Sequence, residues 1–182
     1  PDEAIPGWNL LDLGMPEPAD FRLGQVQSAC GDLAVQAVEW AAKRCLNGEL
    51  AAMVTAPINK EAIHTAGYVN DIGHQEILAR LAGVSQTATM LMTPGLRVVH
   101  LSTHKSLAKA VEFVTAAQVL GKLHLIHDTL TQWGLAQPRI AVAALNPHGG
   151  EGGLLGREEI EELTPAVASA RQAGIDATGP LP

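Results

Sequence analysis

The sequence predicts an α/β fold with a mixed, mainly parallel sheet and flanking helices. Short apolar segments alternate with helical patterns along the chain, as in layered α/β proteins. The Pro94-Gly95 pair lies between two strand-like segments and predicts a tight turn, so at least one strand pair should be antiparallel. Because 47% of the residues are hydrophobic and only 3% are aromatic, Ala, Leu and Val should fill the core.

The spacing of apolar residues predicts the individual elements. Helices are expected over residues 26–46, 59–66, 74–82, 106–113, 115–133 and 158–173, and strands over 50–54, 87–92, 96–101 and 140–144. Gly83 and Gly134 are typical helix ends, and Thr115 is a typical N-cap. The acidic residues that crowd the first turns of the last helix suit the positive end of its dipole.

The two ends of the chain differ from this pattern. Residues 1–24 are rich in Pro, Gly and Asp, and they predict an irregular arm or the end of a preceding lobe. The chain starts without Met and ends on Gly179-Pro180-Leu181-Pro182, which is a turn signal. We therefore expect a fragment that lacks both ends.

Composition excludes several function classes. The formal net charge of −7 argues against a nucleic-acid surface or an anionic membrane surface. No apolar run approaches the ~18 residues of a membrane-spanning helix. Cys30 and Cys45 lie in one helical pattern and lack the spacing of a metal site or a disulfide framework. Since no secretory signal opens the chain, a cytoplasmic protein is expected.

The loop over residues 145–153 is the first candidate for a site. It leaves the carboxyl end of a predicted strand, where open α/β sheets bind their ligands. Its glycines allow the backbone to approach a ligand closely. The loop also carries His148 and Glu151. From these residues alone, a Gly-rich surface turn with an incidental histidine is an equal alternative.

Three histidines share a similar position. His74 starts a helix, His104 ends a strand and His148 follows a strand. In a parallel sheet these side chains could converge at one edge, where neutral imidazoles would bind Zn²⁺ or a similar ion. The alternative is that they are polar loop residues with hydrogen-bonding roles. The other four histidines are interpreted as structural or solvated: His64, His100, His124 and His127.

Three charged residues lie near these positions. Lys60 could meet a phosphate or carboxylate as a point charge, or it could be a solvated lysine of a first helical turn. Glu76 and Glu151 could orient a histidine or act as bases, and Glu76 could equally be a capping carboxylate. The sequence has neither of the usual Gly-rich nucleotide motifs, so a nucleotide would have to bind in another way.

Four segments, taken together and in order, resemble the 4-hydroxythreonine-4-phosphate dehydrogenase family of vitamin B6 biosynthesis. The segment Leu-Asn-Pro-His-Gly-Gly-Glu-Gly-Gly at 145–153 is the most specific. The other three are Thr-Ala-Pro-Ile-Asn-Lys at 55–60, Gly-His-Gln-Glu at 73–76 and Ser-Thr-His at 102–104.

The resemblance implies a two-domain α/β fold similar to isocitrate and isopropylmalate dehydrogenases, and a homodimer with a shared active site. Residues 25–182 would form the metal- and substrate-binding region of this larger enzyme. It implies NAD⁺-dependent oxidation of a phosphorylated 3-hydroxy acid of the 4-phosphohydroxy-L-threonine type, followed by decarboxylation, in pyridoxal phosphate (pyridoxine) biosynthesis. A divalent metal (Zn²⁺, Mg²⁺ or Co²⁺) is also implied.

The resemblance also implies roles for single residues. His104 and His148 match two of three metal-binding histidines, and the third lies beyond this chain in the family. His74 and Gln75 match positions that touch the substrate, and Lys60 would help to place an anionic group as a catalytic residue. No NAD contact can be assigned, and the fragment alone is expected to be inactive.

Two departures from the family pattern bear on the substrate. Gln75 stands where Thr is expected, and residues 102–107 read Ser-Thr-His-Lys-Ser-Leu where a Thr-Thr-His-x-Pro-Leu run is expected. One alternative is therefore a sister dehydrogenase acting on 4-phosphothreonate or erythronate, or on a dihydrodiol carboxylate. A second alternative is a non-catalytic metal-binding fragment.

Overall fold

The computed structural model describes residue 7 and residues 10–182, which fall into two compact units, Pro1–Ser85 and Gln86–Pro182. In the predicted arm over residues 1–24, the described positions form turns and bends without a helix or strand. Residues 1–6, 8 and 9 of that arm lie outside the described residues.

The first unit contains three helices, α1 (Ser28–Leu46), α2 (Lys60–Thr65) and α3 (His74–Ala82). All three were predicted to within two residues at either end. Helix α3 ends on Gly83, whose φ of 65° is the left-handed conformation expected of a C-terminal glycine. The helices pack around a small apolar core of Val35, Val38, Ile63 and Ile77.

The predicted strand over residues 50–54 is wrong, since this segment is irregular. The side chain of Val54 is 97% exposed and that of Leu50 is 39% exposed, so the apolar run is not buried. A strand over residues 50–54 would need a neighbouring strand to satisfy its backbone hydrogen bonds, and the described residues of the first unit form no such neighbour. Lys60 therefore follows an extended connection rather than a strand.

The second unit combines strands and helices. Its elements are β1 (Met90–Thr93), β2 (Leu96–Val99), α4 (Leu107–Glu112), α5 (Ala116–Gln132), β3 (Ile140–Ala143), α6 (Thr164–Gln172) and β4 (Ala177–Leu181). Strands β1 and β2 pair antiparallel, with Thr93 opposite Leu96, which confirms the turn at Pro94-Gly95. The side chain of Thr115 accepts a hydrogen bond from the Gln118 N–H and caps α5 as predicted.

Strands β3 and β4 pair parallel, with Ile140 opposite Ala177, and α6 lies between them in sequence. The turn expected over residues 179–182 is therefore wrong, because Gly179 and Pro180 lie within β4. A Cβ on Gly179 would overlap the Val142 backbone, so only glycine permits this close strand approach.

The core of the second unit lies between this parallel pair, α5 and α6. Its buried members are Val119, Leu123, Ile140, Leu163, Ala166, Val167, Ala170, Ile175 and Ala177. Aliphatic side chains and alanines fill it, as the composition predicted.

The chain thus has an α/β fold with small sheets, one antiparallel pair and one parallel pair in the part that the structure describes. The mainly parallel sheet stays an expectation for the whole protein. None of the helices over residue 7 and residues 10–182 combines the length and the apolar character needed to cross a bilayer.

Candidate functional site

The loop after β3 has an unusual backbone. Five consecutive residues, from His148 to Gly152, have φ between 46° and 76°. Left-handed angles suit glycine, but they cost a residue with a side chain roughly 1–3 kcal/mol. His148 and Glu151 both adopt them, at φ of 53° and 46°. Such strain persists only where the surrounding structure imposes it.

Glu159, in the turn that precedes α6, binds the start of this loop. Its carboxylate is 4% exposed and accepts hydrogen bonds from the Leu145 N–H at 2.8 Å and the Asn146 N–H at 2.6 Å. The Asn146 side-chain Nδ2 donates to Glu159 at 2.9 Å and to Glu158 at 2.7 Å. The start of the loop is therefore bound to the start of the last helical region.

This environment keeps Glu159 ionised. Burial raises its pKa, but hydrogen bonds from the Asn146 side chain and from nearby backbone N–H groups together outweigh burial and lower the pKa below its ordinary value. A carboxylate is the appropriate acceptor here because it can bind several donors at once.

The middle of the loop also packs against Glu159. A Cβ on Gly150 would lie 2.8 Å from the Glu159 Oε2 and 3.0 Å from the Gly156 carbonyl oxygen. Since neither approach leaves room for a side chain, position 150 requires glycine for space as well as for its φ of 76°. The backbone N–H of Leu155 donates to the Gly150 carbonyl at 3.1 Å and closes the loop.

His104 lies in the connection between β2 and α4, where its side chain is exposed. Its φ is 56°, so it too has a left-handed backbone. In the described residues, only His104, His148 and Glu151 adopt positive φ without being glycine. Backbone outliers of this kind concentrate at functional sites, and two of these three are the predicted metal ligands.

The donor chemistry of His104 and His148 suits a divalent metal, because exposed neutral imidazoles are good ligands for such ions. Over residues 10–182 and residue 7, no group of three or more His, Cys, Asp or Glu side chains is placed to hold an ion. The chain therefore fits a partial ligand set, and the metal pair stays a prediction.

A second candidate region lies at the start of α3, in the first unit. His74 is the first residue of the helix and follows the buried Gly73. The position that a Cβ on Gly73 would occupy is 3.7 Å from the Glu76 Oε2 and 3.9 Å from the Lys60 Cε. Lys60 and Glu76 therefore lie at the same corner as His74, which we call the α3 corner.

Two polar atoms at the α3 corner are buried without a hydrogen-bond partner in the described part of the chain, the His74 Nε2 and the Glu76 Oε2. Most buried polar groups in folded proteins are paired, so each exception needs an explanation, and a bound ligand or water is one such explanation. The His127 Nδ1 on α5, in the second unit, is a third such atom. Gln75, the next residue of the helix, is half-buried.

The structure thus separates the predicted residues into two groups. Lys60, His74 and Gln75 belong to the first unit, and His104 and His148 belong to the second. Their convergence at one sheet edge, expected from the sequence, stays a prediction.

Sequence reasoning missed Glu159 and Asn146. The acidic residues at 158–162 were interpreted as a group that suits the helix dipole, but Glu159 is buried and binds the loop. The crowding of acidic residues at 158–162 gave no signal for this, because at about 3.6 residues per turn the four side chains span less than half of the helix circumference and could all face solvent. The region begins with the wide π-helical turn Glu159–Leu163, which pattern rules do not anticipate.

Known proteins resemble this chain over nearly its whole length. A D-threonate 4-phosphate dehydrogenase from Salmonella typhimurium is 42% identical over 96% of the chain and 53% of its own length. A 4-hydroxythreonine-4-phosphate dehydrogenase from Geobacter metallireducens is 45% identical over 97% of the chain and 51% of its own length. The chain spans about half the length of the curated relatives it matches.

Solved structures agree with these relatives. The crystal structure of a 4-hydroxythreonine-4-phosphate dehydrogenase from Klebsiella pneumoniae matches with a TM-score of 0.81 and 42% identity, over 91% of this chain and 50% of that one. The family described as "Pyridoxal phosphate biosynthetic protein PdxA" matches residues 4–182. The chain therefore belongs to the PdxA family.

Proposed function

We propose that this chain is the metal- and substrate-binding region of an NAD-dependent dehydrogenase that oxidises a phosphorylated 3-hydroxy acid of the 4-phosphohydroxy-L-threonine type. The 3-keto acid formed then loses CO₂. The observation that carries the proposal is the left-handed backbone shared by His104 and His148, two exposed imidazoles at the positions of family metal ligands. The names of the relatives support the substrate class.

His104 and His148 would hold the divalent ion, Zn²⁺, Mg²⁺ or Co²⁺. When bound, such an ion stabilises negative charge on a substrate oxygen as a Lewis acid. NAD⁺ enters the proposal from the family resemblance alone, because no residue of this chain forms a recognised nucleotide motif.

Residues of the α3 corner would bind the substrate. The buried Nε2 of His74 is available to exchange a hydrogen bond with a substrate oxygen. The ammonium group of Lys60 would attract a phosphate or carboxylate as a point charge. Gln75, with its carboxamide, would add a contact beside His74 and thereby influence which substrate is accepted.

Gln75, which departs from the family pattern, favours one alternative with the same chemistry. This alternative is a sister dehydrogenase that acts on 4-phosphothreonate or erythronate, or on a dihydrodiol carboxylate. The Salmonella relative, named for a phosphorylated threonate, supports this reading. A second alternative is a non-catalytic metal-binding fragment. We further propose an isocitrate/isopropylmalate dehydrogenase-like two-domain architecture, a homodimer with a shared active site and a cytoplasmic location.

NADH formation by the full-length protein tests the proposal. Each candidate phosphorylated hydroxy acid would be supplied with NAD⁺ and with Zn²⁺, Mg²⁺ or Co²⁺ in turn. We expect turnover with at least one substrate and a loss of more than about 100-fold in kcat for His148→Ala. His124→Ala, which changes an exposed histidine of α5, is the matched control. Absence of turnover with every substrate and metal would contradict the proposal and favour the non-catalytic alternative.

A further inference from the structure

We infer that Glu159 is the positioning residue of the His148 loop, because its carboxylate fixes the backbone path that presents the His148 imidazole. The inference deepens the proposed function and rests on it, since it takes His148 to be a metal ligand. Glu159 lies six residues beyond the end of the loop at Gly153, and it need not touch metal or substrate itself.

The first support is the position of the bound groups. The Glu159 Oε1 accepts from two consecutive backbone N–H groups, those of Leu145 and Asn146, directly after β3. The Oε2 accepts from the Asn146 side chain. His148 is only two residues further along the chain, so a shift of this anchor would shift the imidazole.

The second support is the contact with Gly150, on the far side of His148. The Glu159 Oε2 lies within 2.8 Å of where a Cβ of Gly150 would be. One carboxylate therefore binds the loop before the histidine and lies close against its backbone after the histidine. With residue 146 hydrogen-bonded and residue 150 packed against the same carboxylate, the backbone of residue 148 has less room to move.

The third support is the left-handed backbone of His148 itself. A residue with a side chain prefers right-handed or extended angles, so His148 would relax toward them without an external restraint. The imidazole is exposed, and packing around the ring therefore contributes little to its position. Relaxation would move the ring away from its present direction.

The chemistry of the anchor favours a carboxylate. Three donors point at Glu159, and a carboxylate only accepts. A glutamine at this position could still accept from the two backbone N–H groups with its oxygen. Its amide nitrogen would then face the Asn146 Nδ2, which is also a donor. Glu159→Gln should therefore retain part of the function of Glu159.

The test compares Glu159→Ala, Glu159→Gln and Glu162→Ala in the full-length protein. Glu162 is the matched control, because its carboxylate accepts from the Ala116 N–H at the start of α5 and leaves the loop untouched. Calorimetric titration with Co²⁺ gives the metal Kd. Amide hydrogen exchange reports Leu145, Asn146 and Ala116 separately.

We expect Glu159→Ala to raise the Co²⁺ Kd by about 10–100-fold, the usual effect of losing a group that orients a ligand. Exchange at Leu145 and Asn146 should accelerate. Glu159→Gln should raise the Kd less, and Glu162→Ala should accelerate exchange at Ala116 while leaving the Kd unchanged. A parental Kd in Glu159→Ala, or an equal rise in Glu162→Ala, would overturn the inference.

Two further outcomes are also decisive. If Glu159→Ala does not fold, the Kd of Glu159→Gln decides, since a raised value supports the positioning role and a parental value overturns it. If the parent protein binds no Co²⁺, the proposed metal role fails. Exchange across the loop then tests the positioning role alone, and equal rates in Glu159→Ala and Glu162→Ala would contradict it.

Discussion

Asn146 donates to Glu159 twice, from its backbone N–H at 2.6 Å and from its side-chain Nδ2 at 2.9 Å. The side chain also donates to Glu158 at 2.7 Å. One residue at the start of the Gly-rich loop thus joins two neighbouring carboxylates. This relationship links the sequence motif of the loop to the helical region that follows it.

Asn146→Ala tests the side-chain part of this link. The substitution removes a donor to a buried carboxylate, and we expect it to lower the free energy of unfolding by about 1–3 kcal/mol. Urea denaturation of the full chain measures the effect. Asn47→Ala is the control, since Asn47 donates at 3.1 Å to the exposed Glu49, and its loss should cost less than about 0.5 kcal/mol. Equal losses of unfolding free energy in Asn146→Ala and Asn47→Ala would contradict the claim that burial makes the Asn146 hydrogen bond the more stabilising one.

Gly150 and Gly149 offer a matched pair of substitutions. Both have left-handed φ, at 76° and 65°, so alanine adds about 1–2 kcal/mol of backbone strain at either position. Only at Gly150 does the new Cβ approach the Glu159 carboxylate, whereas a Cβ on Gly149 has no described heavy atom within 4 Å. Gly150→Ala should therefore lower the free energy of unfolding clearly more than Gly149→Ala. The same urea measurement would show the account to be wrong if the order were reversed.

The ion pairs around Arg80 hold α3 in the first unit. Arg80 donates to the buried Asp71 at 2.6 Å and to Glu39 at 2.8 Å, so it joins the segment before His74 to the last turn of α3 and to α1. Because Arg80 is 45% exposed, we expect Asp71→Ala to cost a modest amount, about 1–2 kcal/mol. Thermal or urea unfolding checks this value. Lys43→Gln, which removes an exposed pair with Glu39, should cost less than about 0.5 kcal/mol.

Tyr68 gives a prediction about pH. Its hydroxyl donates to Asp32 at 2.6 Å, and this bond, with burial and the nearby negative charge, raises its pKa to about 12. The protonated form is therefore favoured by folding, so this stabilisation is complete below the unfolded pKa of about 10 and is lost as pH rises through about 12.

The measurement is direct because Tyr68 is the single tyrosine of the chain. Ultraviolet titration of tyrosinate in the native chain should give a midpoint near 12, and Asp32→Asn should move it toward 10. Circular dichroism over the same range confirms that the chain stays folded. A native midpoint near 10 in the unsubstituted chain would contradict the contact.

Local signals predicted much of the fold. The limits of α3 follow from Gly83 and from the apolar spacing after His74, and the hairpin turn follows from Pro94-Gly95. These features depend on residues close in sequence. The strand predicted over residues 50–54 and the turn predicted over residues 179–182 failed because strand formation depends on a partner that is distant in sequence. Residues 50–54 have no partner strand among the described residues of their unit. Residues 179–181 belong to β4, which pairs with β3, and therefore form part of a strand.

The candidate site shows the same limit. The His148 loop and His104 could be selected from residue type and position, but the buried Glu159 and the left-handed backbone of the two histidines could not. Whether a glutamate is solvated or buried depends on what packs against it in three dimensions. A single sequence shows only that several carboxylates are crowded together.

The central claim is that His104 and His148 are ligands of one divalent ion, and Co²⁺ titration of the full-length protein tests it most directly. We predict that His104→Ala and His148→Ala each weaken Co²⁺ binding by at least about 10-fold, whereas His124→Ala retains the parental Kd. The same Kd in the parent protein and in both ligand variants would contradict the claim.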